Sequence, residues 1–350
     1  MVSLQTVFVT NRNINVGKAS KKHLFGNKLA EDRKIRFAEA AQDDKEVIKK
    51  YKVNNKIPRT IKSIKKTYKL SLVDLDNIDG YLQTVVDNCD NDRPWIFFLH
   101  GNNQSLSKNL VKSRQIQDEY DVNMVIFSWP SLSYNPKLVP KLLLGGLLAA
   151  NPPTQLIGKW VVKKAFKDKV KQYKRARRCA EKTAHRFNQA FKILRDGLFL
   201  PLQQQHDPHT CLLVHSLGHY VLREAVARDA QALTAYEFNT CMLHQADEVD
   251  EGHQDWITPI TVVKNENTYV TRNKKDIVLL VAGVVNNDLD VTEAFTRLGN
   301  RWDHDSEQGS PLNYIDFTGM DDVGLGHGVA WDDGRSDEVD ALCRPILTGP

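Results

Sequence analysis

Cysteine is scarce in this chain, and the few cysteines are not arranged as staples. Cys89, Cys179, Cys211, Cys241 and Cys343 are scattered, odd in number and without paired spacing. That pattern suggests neither a disulfide framework nor a zinc site, and a reducing, cytoplasmic setting is expected. Long hydrophobic runs are missing as well: the longest, residues 138–150, is too short to span a bilayer and carries Lys141. The opening MVSLQTVFVTNRN lacks the basic start and apolar stretch of a secretion signal. There is no Gly-x-x-x-x-Gly-Lys, no His-Glu-x-x-His, and no Gly-x-Gly-x-x-Gly following a strand. Phosphate-loop, zinc-protease and dinucleotide chemistry are therefore not expected, nor is any cofactor. His206 and His209 sit in a polar stretch and read as loop residues rather than metal ligands.

What is present is ordinary in bulk and uneven in placement. At 350 residues, with 41% hydrophobic and 26% charged residues, the chain can bury a large core, and one elaborated domain is expected. The net charge of +5 hides an asymmetry. Residues 1–70 carry 18 Lys/Arg against 6 Asp/Glu, residues 137–178 carry 12 against Asp168 alone, and the last fifty residues hold 11 acids against 3 bases. Basic faces of this kind attract anionic lipid, nucleic acid or an acidic protein, although a solvated surface has the same composition.

Strand and helix patterns alternate from about residue 80 onward. Apolar runs at 95–99, 123–128, 211–215 and 239–244 read as strands buried on both faces, with further strands at 6–10, 268–271 and 314–317. Helical spacing occupies 79–89, 106–120 and about 173–194. The alternation predicts an α/β fold with a mostly parallel central sheet flanked by helices. Residues 14–70 read as a basic N-terminal elaboration, a decorated hairpin region with a strand at 68–72.

The run Cys211-Leu212-Leu213-Val214-His215-Ser216-Leu217-Gly218 carries the chemistry. An apolar strand ends in serine, and a helix pattern with Val221, Leu222, Ala225 and Val226 follows. A strand turning sharply into a helix lifts the serine hydroxyl out of the sheet beside backbone N–H groups that can hold an oxyanion. Such a serine needs a base and an orienting carboxylate, both from loops at the same sheet edge. Asp276 follows one strand and His327, between Gly326 and Gly328, follows the last. Asp247 is an alternative acid, and His304 is a reserve base placed before the last strand. The loop His100-Gly101-Asn102-Asn103 after another strand offers the Asn102 N–H as one oxyanion donor, with the Leu217 N–H as the second.

With Thr10-Asn11-Arg12, His100-Gly101-Asn102-Asn103, Ser128-Trp129-Pro130-Ser131 and His215-Ser216-Leu217-Gly218, the sequence resembles the serine α/β-hydrolase superfamily. In particular it is similar to a group of poorly characterised bacterial α/β-hydrolases of esterase and lipase type. The resemblance covers residues 1–12 and most of 80–330. It implies an α/β-hydrolase fold and ester hydrolysis with Ser216 as nucleophile. The chain departs from the pattern in two places. Val214 stands where a small residue is expected before the elbow, and residues 132–172 look like an inserted helical cap or lid.

Within that insertion, 138–148 is apolar and 156–166 mixes Trp160 with lysines, as in a helix lying at a membrane interface. A small-molecule or lipid-derived ester is the expected substrate, with peripheral contact to anionic membrane through 138–166. Nucleic acid is not expected as a partner. The competing reading is a hydrolase fold that has lost catalysis and uses its basic surfaces to bind lipid, nucleic acid or protein.

Overall fold

Five strands are buried from end to end because their apolar side chains point alternately into two covered faces. The computed structural model describes residues 4–15, 24–32, 34–53, 57–89, 92–102, 104–131, 155–234, 236–261, 267–286, 297–301, 312–331 and 335–350. In chain order the strands are β1 (Thr6–Thr10), β2 (Arg12–Ile14), β3 (Phe25–Leu29), β4 (Arg36–Val53), β5 (Ile57–Val73), β6 (Trp95–Leu99), β7 (Asn123–Ser128), β8 (Thr210–His215), β9 (Thr240–His244), β10 (Thr268–Arg272) and β11 (Asn313–Asp316). The helices are α1 (Ile78–Asp87), α2 (Leu106–Tyr120), α3 (Gln155–Leu194), α4 (Leu200–Gln205), α5 (Gly218–Thr234), α6 (His253–Thr261), α7 (Ile277–Asn286) and α8 (Asp337–Thr348).

Among the described residues, nine strands form one sheet in the order β11-β10-β9-β8-β6-β7-β1-β4-β5. Neighbours from β11 through β1 run parallel, while at one edge β4 pairs antiparallel with β1 and β5 antiparallel with β4. Alternate residues feed different cores. Trp95, Phe97, Leu99, Val125, Phe127, Leu212 and Val214 pack with α1, α3 and α5 on one face. Ile96, Phe98, Met124, Ile126, Cys211 and Leu213 pack with α2 and α8 on the other. This two-sided burial is why the strands read as continuous apolar runs rather than alternating ones.

The structure departs from the sequence reading at three elements. First, α3 starts at Gln155 and runs unbroken for 40 residues, about 60 Å, so residues 156–166 belong to it and are not a separate cap helix. No proline or glycine occurs between Lys159 and Leu194, so nothing in the chain stops the helix there. The apolar 138–148 stretch lies outside the described residues. Second, the hairpin strands reach 18 and 17 residues, far beyond the strand expected at 68–72. Their register comes from pairing with each other, from Phe37 with Val73 to Val53 with Ile57. Third, the chain ends in a helix, α8, that the strand and helix spacings above do not predict. Ser336 caps its N-terminus through the Val339 N–H, and Val339, Cys343, Ile346 and Leu347 fill the second core.

Candidate active site

The sheet order reverses around β6. The chain passes from β6 to β7 on one side and then returns to lay β8 on the other. Loops leaving β6 and β8 therefore diverge, and a crevice opens at their carboxyl ends. Leu99 of β6 pairs with Val214 of β8, which brings Gly101 and Ser216 together just beyond the strand ends. A Cβ on Gly101 would lie 2.5 Å from Ser216 Cβ and 2.9 Å from the His215 carbonyl, so only glycine fits there.

Ser216 has φ of 54°, the left-handed region that a non-glycine residue occupies at a cost of about 1–2 kcal/mol. Hydrogen bonds hold it there. Its N–H donates to His244 O at 3.2 Å, and its carbonyl accepts from the His219 N–H at 3.1 Å and the Asp247 N–H at 3.2 Å. His219 Nδ1 donates to the same carbonyl at 2.7 Å. A Cβ on Gly218 would come within 2.8 Å of Leu99 O, so the close approach of helix and strand falls at Gly218. Val214 lies instead inside the strand, buried with Leu217 and Val221, and the elbow forms with valine in place.

His327 Nδ1 and Asp276 Oδ2 are 2.5 Å apart. Asp276 is fully buried and its other oxygen, Oδ1, caps α7 by accepting from the Val278 and Leu279 N–H groups at 2.9 and 3.2 Å. Gln245 Nε2 also donates to Oδ2, at 2.8 Å. The carboxylate is thus oriented on both oxygens. The His327 ring centroid lies 4.6 Å from that of His215, the residue preceding Ser216, so the imidazole stands at the same sheet edge as the elbow.

The β6 loop is held from behind. Trp129 N–H can only donate, so His100 Nε2, 3.1 Å away, is the acceptor and His100 Nδ1 carries the proton. Nδ1 then donates to Gly101 O at 2.7 Å, while Trp129 Nε1 donates to His100 O at 2.8 Å and the two rings stack at 5.5 Å. Burial, reinforced by the Arg12 charge, pushes the His100 pKa down to about 3, so the ring is neutral. Arg12 is itself fully buried and reaches five neutral acceptors: Ser128 Oγ, Gly26 O, Asn27 Oδ1, Gln104 O and Trp129 O. It joins the β1 end, the β7 end and the β6 loop in one network.

An elbow serine, a carboxylate-bound histidine and a glycine loop at one switch point match what the chain is similar to. Residues 81–291, more than half of the chain, match the model of a family described as alpha/beta hydrolase of unknown function (DUF900). The chain belongs to that family. No curated protein and no solved structure matches this alpha/beta hydrolase.

Elsewhere in the hydrolase, Asp247 is buried but is not placed on His327. Its Oδ2 accepts from Tyr173 on α3 at 2.7 Å, and Arg297 Nε lies 3.6 Å from its Oδ1. His304 lies outside the described residues. Asn102 follows Gly101, and the Leu217 N–H makes no backbone hydrogen bond among the described residues. No group of three or more His, Cys, Asp or Glu among the described residues is arranged to hold a metal, and no described helix is long and apolar enough to cross a membrane.

Sequence reasoning missed Gln245 and His219. His219 was visible within the elbow motif, one residue past Gly218, and its spacing from Ser216 is a helical turn's. Gln245 carried no motif at all. It follows β9, and only the fold brings it to Asp276.

Proposed function

We propose that this alpha/beta hydrolase cleaves a carboxylic ester through an acyl-enzyme intermediate, with Ser216 as nucleophile, His327 as base and Asp276 as orienting acid. One observation carries the reading: the 2.5 Å His327–Asp276 pair stands at the sheet edge where Ser216 is held at φ of 54°. With Nδ1–H donated to the carboxylate, His327 Nε2 is left as the acceptor. Ser216 Oγ attacks the ester carbonyl carbon and passes its proton to Nε2. The tetrahedral oxyanion is stabilised by the Asn102 and Leu217 N–H groups. The C–O bond to the alcohol then breaks, and Nε2 returns the proton to the leaving oxygen. Water repeats the sequence on the acyl-enzyme and releases the acid.

A lipid-derived ester and contact with an anionic membrane are the finer part of the proposal. They are supported by the apolar composition of 138–148 and by the lysines of 156–166, now seen to lie on α3. The five cysteines, none in a disulfide among the described residues, support a reducing compartment.

The deciding experiment is labelling with a fluorophosphonate probe, together with hydrolysis of p-nitrophenyl esters of increasing chain length. Wild type is expected to label at Ser216, and Ser216→Ala to lose labelling and about 10⁴ or more in turnover. Absence of labelling in folded wild type would favour the competing binding-module reading. Salt-sensitive binding to anionic vesicles, weakened by Lys159→Glu, Lys163→Glu and Lys164→Glu together, tests the membrane contact; unchanged binding would remove it.

A further inference from the structure

Gln245 lies one residue beyond β9, fully buried, with φ of 45°. Ser216 occupies the equivalent place beyond β8, since His215 and His244 are paired across the two strands. Two adjacent strands thus end in left-handed residues, one carrying the proposed nucleophile and the other an amide. Left-handed backbone in a non-glycine residue persists only where its surroundings hold it.

The Gln245 amide makes four hydrogen bonds. Nε2 donates to Asp276 Oδ2 at 2.8 Å and to Gly326 O at 2.9 Å. Oε1 accepts from the Gly328 N–H at 2.5 Å and the Val329 N–H at 3.3 Å. Two acceptors face one end of the amide and two donors face the other, so its orientation is dictated by chemistry. Asp276 Oδ2 is the very oxygen that meets His327 Nδ1. Gly326 and Gly328 are the two residues flanking His327. One side chain therefore grips the imidazole's carboxylate partner and the backbone on either side of the imidazole.

The loop needs such a grip. Between β11 and the short 3-10 turn Val329–Trp331, the described residues 317–328 contain no helix or strand, and Leu325 is 55% exposed. Asn273 assists through Nδ2 bonds to Gly324 O and Gly326 O at 3.2 and 3.1 Å, but it does not touch the carboxylate oxygen that receives His327. The Asn273 carbonyl accepts the Asp276 N–H at 3.0 Å, whereas Gln245 joins the loop to the Asp276 carboxylate itself.

We propose that Gln245 is a positioning residue that holds the His327 loop and Asp276 as one unit, so that the imidazole keeps its register towards Ser216. The proposal rests on the reading of Ser216, His327 and Asp276 as the catalytic triad. A misplacement of about 1 Å at a base can cost about 10² in rate, so the effect falls on turnover rather than on substrate binding.

The test uses the full chain, with p-nitrophenyl butyrate hydrolysis and fluorophosphonate labelling followed from about pH 5 to 9, and thermal melts alongside. Gln245→Leu keeps the volume and removes every polar contact. It is expected to lower kcat by about 10² while KM changes by less than about threefold. Gln245→Glu is the diagnostic variant. Protonated, its carboxyl still accepts from Gly328 and Val329 and donates to Asp276; ionised, it sets a second negative charge against Asp276. Its kcat relative to wild type is expected to fall as pH rises through that titration. Wild-type kcat and pH profile in both variants would overturn the proposal. Loss of the fold in both would also overturn it, reducing Gln245 to a core residue. Failure of wild type to label, or activity in Ser216→Ala, would instead sink the triad reading, however the Gln245 variants behave.

Discussion

His219 Nδ1 lies 2.7 Å from the carbonyl oxygen of Ser216, the same distance that separates His100 Nδ1 from the Gly101 carbonyl. Each carbonyl belongs to the peptide unit whose N–H is assigned to the oxyanion, Leu217 in one case and Asn102 in the other. The peptide is planar, so fixing the C=O fixes the direction of the N–H. A carbonyl only accepts, so both imidazoles carry their proton on Nδ1. Burial pushes the pKa of both down to about 3, which keeps them neutral.

Replacing His219 by leucine should therefore loosen the Leu217 donor. Losing one oxyanion donor costs about 10²–10³ in kcat, and a misaligned one should cost about 10-fold or more. Asparagine, whose Nδ2 can stand in for Nδ1, should restore most of the rate. Steady-state kinetics of His219→Leu and His219→Asn check this; equal rates in the two variants would contradict it.

Gly101→Ala is expected to be far more damaging than its size suggests. The added methyl would sit 2.5 Å from Ser216 Cβ and 3.0 Å from Ser216 Oγ. The serine must move or the loop must retreat, and either separates nucleophile from oxyanion donors. Fluorophosphonate labelling should fall by at least about 10², and labelling at the wild-type rate would show that the two backbones are not in contact.

Arg12→Met should destabilise the fold. It strands the five acceptors that the guanidinium now serves, four of them on buried or half-buried residues, among them Trp129 O at 2.5 Å and Gln104 O at 3.1 Å. Unsatisfied buried polar groups cost about 1–3 kcal/mol each, partly relieved by relaxation, so a loss of about 3 kcal/mol is expected. Arg12→Lys should recover little, because an ammonium lacks the planar fork. Urea denaturation midpoints measure both.

Acid should unfold the protein earlier than its carboxylates alone would require. His100 and His219 have native pKa values of about 3, depressed mainly by burial, against about 6.5 in the unfolded chain. The unfolded state then binds more protons, so the stability present above pH 6.5 is lost as pH falls towards 3. At pH 5 each of the two contributes a loss of about 2 kcal/mol. His215 and His244, both depressed first by burial and then by the neighbouring His327 and Lys112, act in the same direction. Against a total stability of about 5–15 kcal/mol, unfolding near pH 5 is expected. Fluorescence-monitored acid titration reads it, and a midpoint below pH 3 would refute it.

Much of the sheet could be read from the sequence because parallel strands buried on both faces announce themselves as apolar runs. Trp95 to Leu99 and Asn123 to Ser128 begin and end where the sequence places them. Helix α2 does too, since Ser105 caps it and Asp121 ends it in a left-handed turn. The β4–β5 arms were harder to read because their lysine-rich sequences carry no continuous apolar run, and their register is set by pairing with each other. Of the site, Ser216, Asp276 and His327 stood out by their position after strands. Asp247 met the same criterion, and local sequence could not tell the two carboxylates apart.

Periodicity and turn chemistry are properties of neighbours along the chain, so by itself the sequence settled which segments become buried strands and which loops leave the sheet edge. Contacts between residues 31 to 117 positions apart obey no such local rule. The grip of Gln245 on Asp276, the pairing of Asp276 with His327, and the reach of Arg12 to Trp129 were decided only in three dimensions, where the folded sheet brings distant loops within hydrogen-bonding distance.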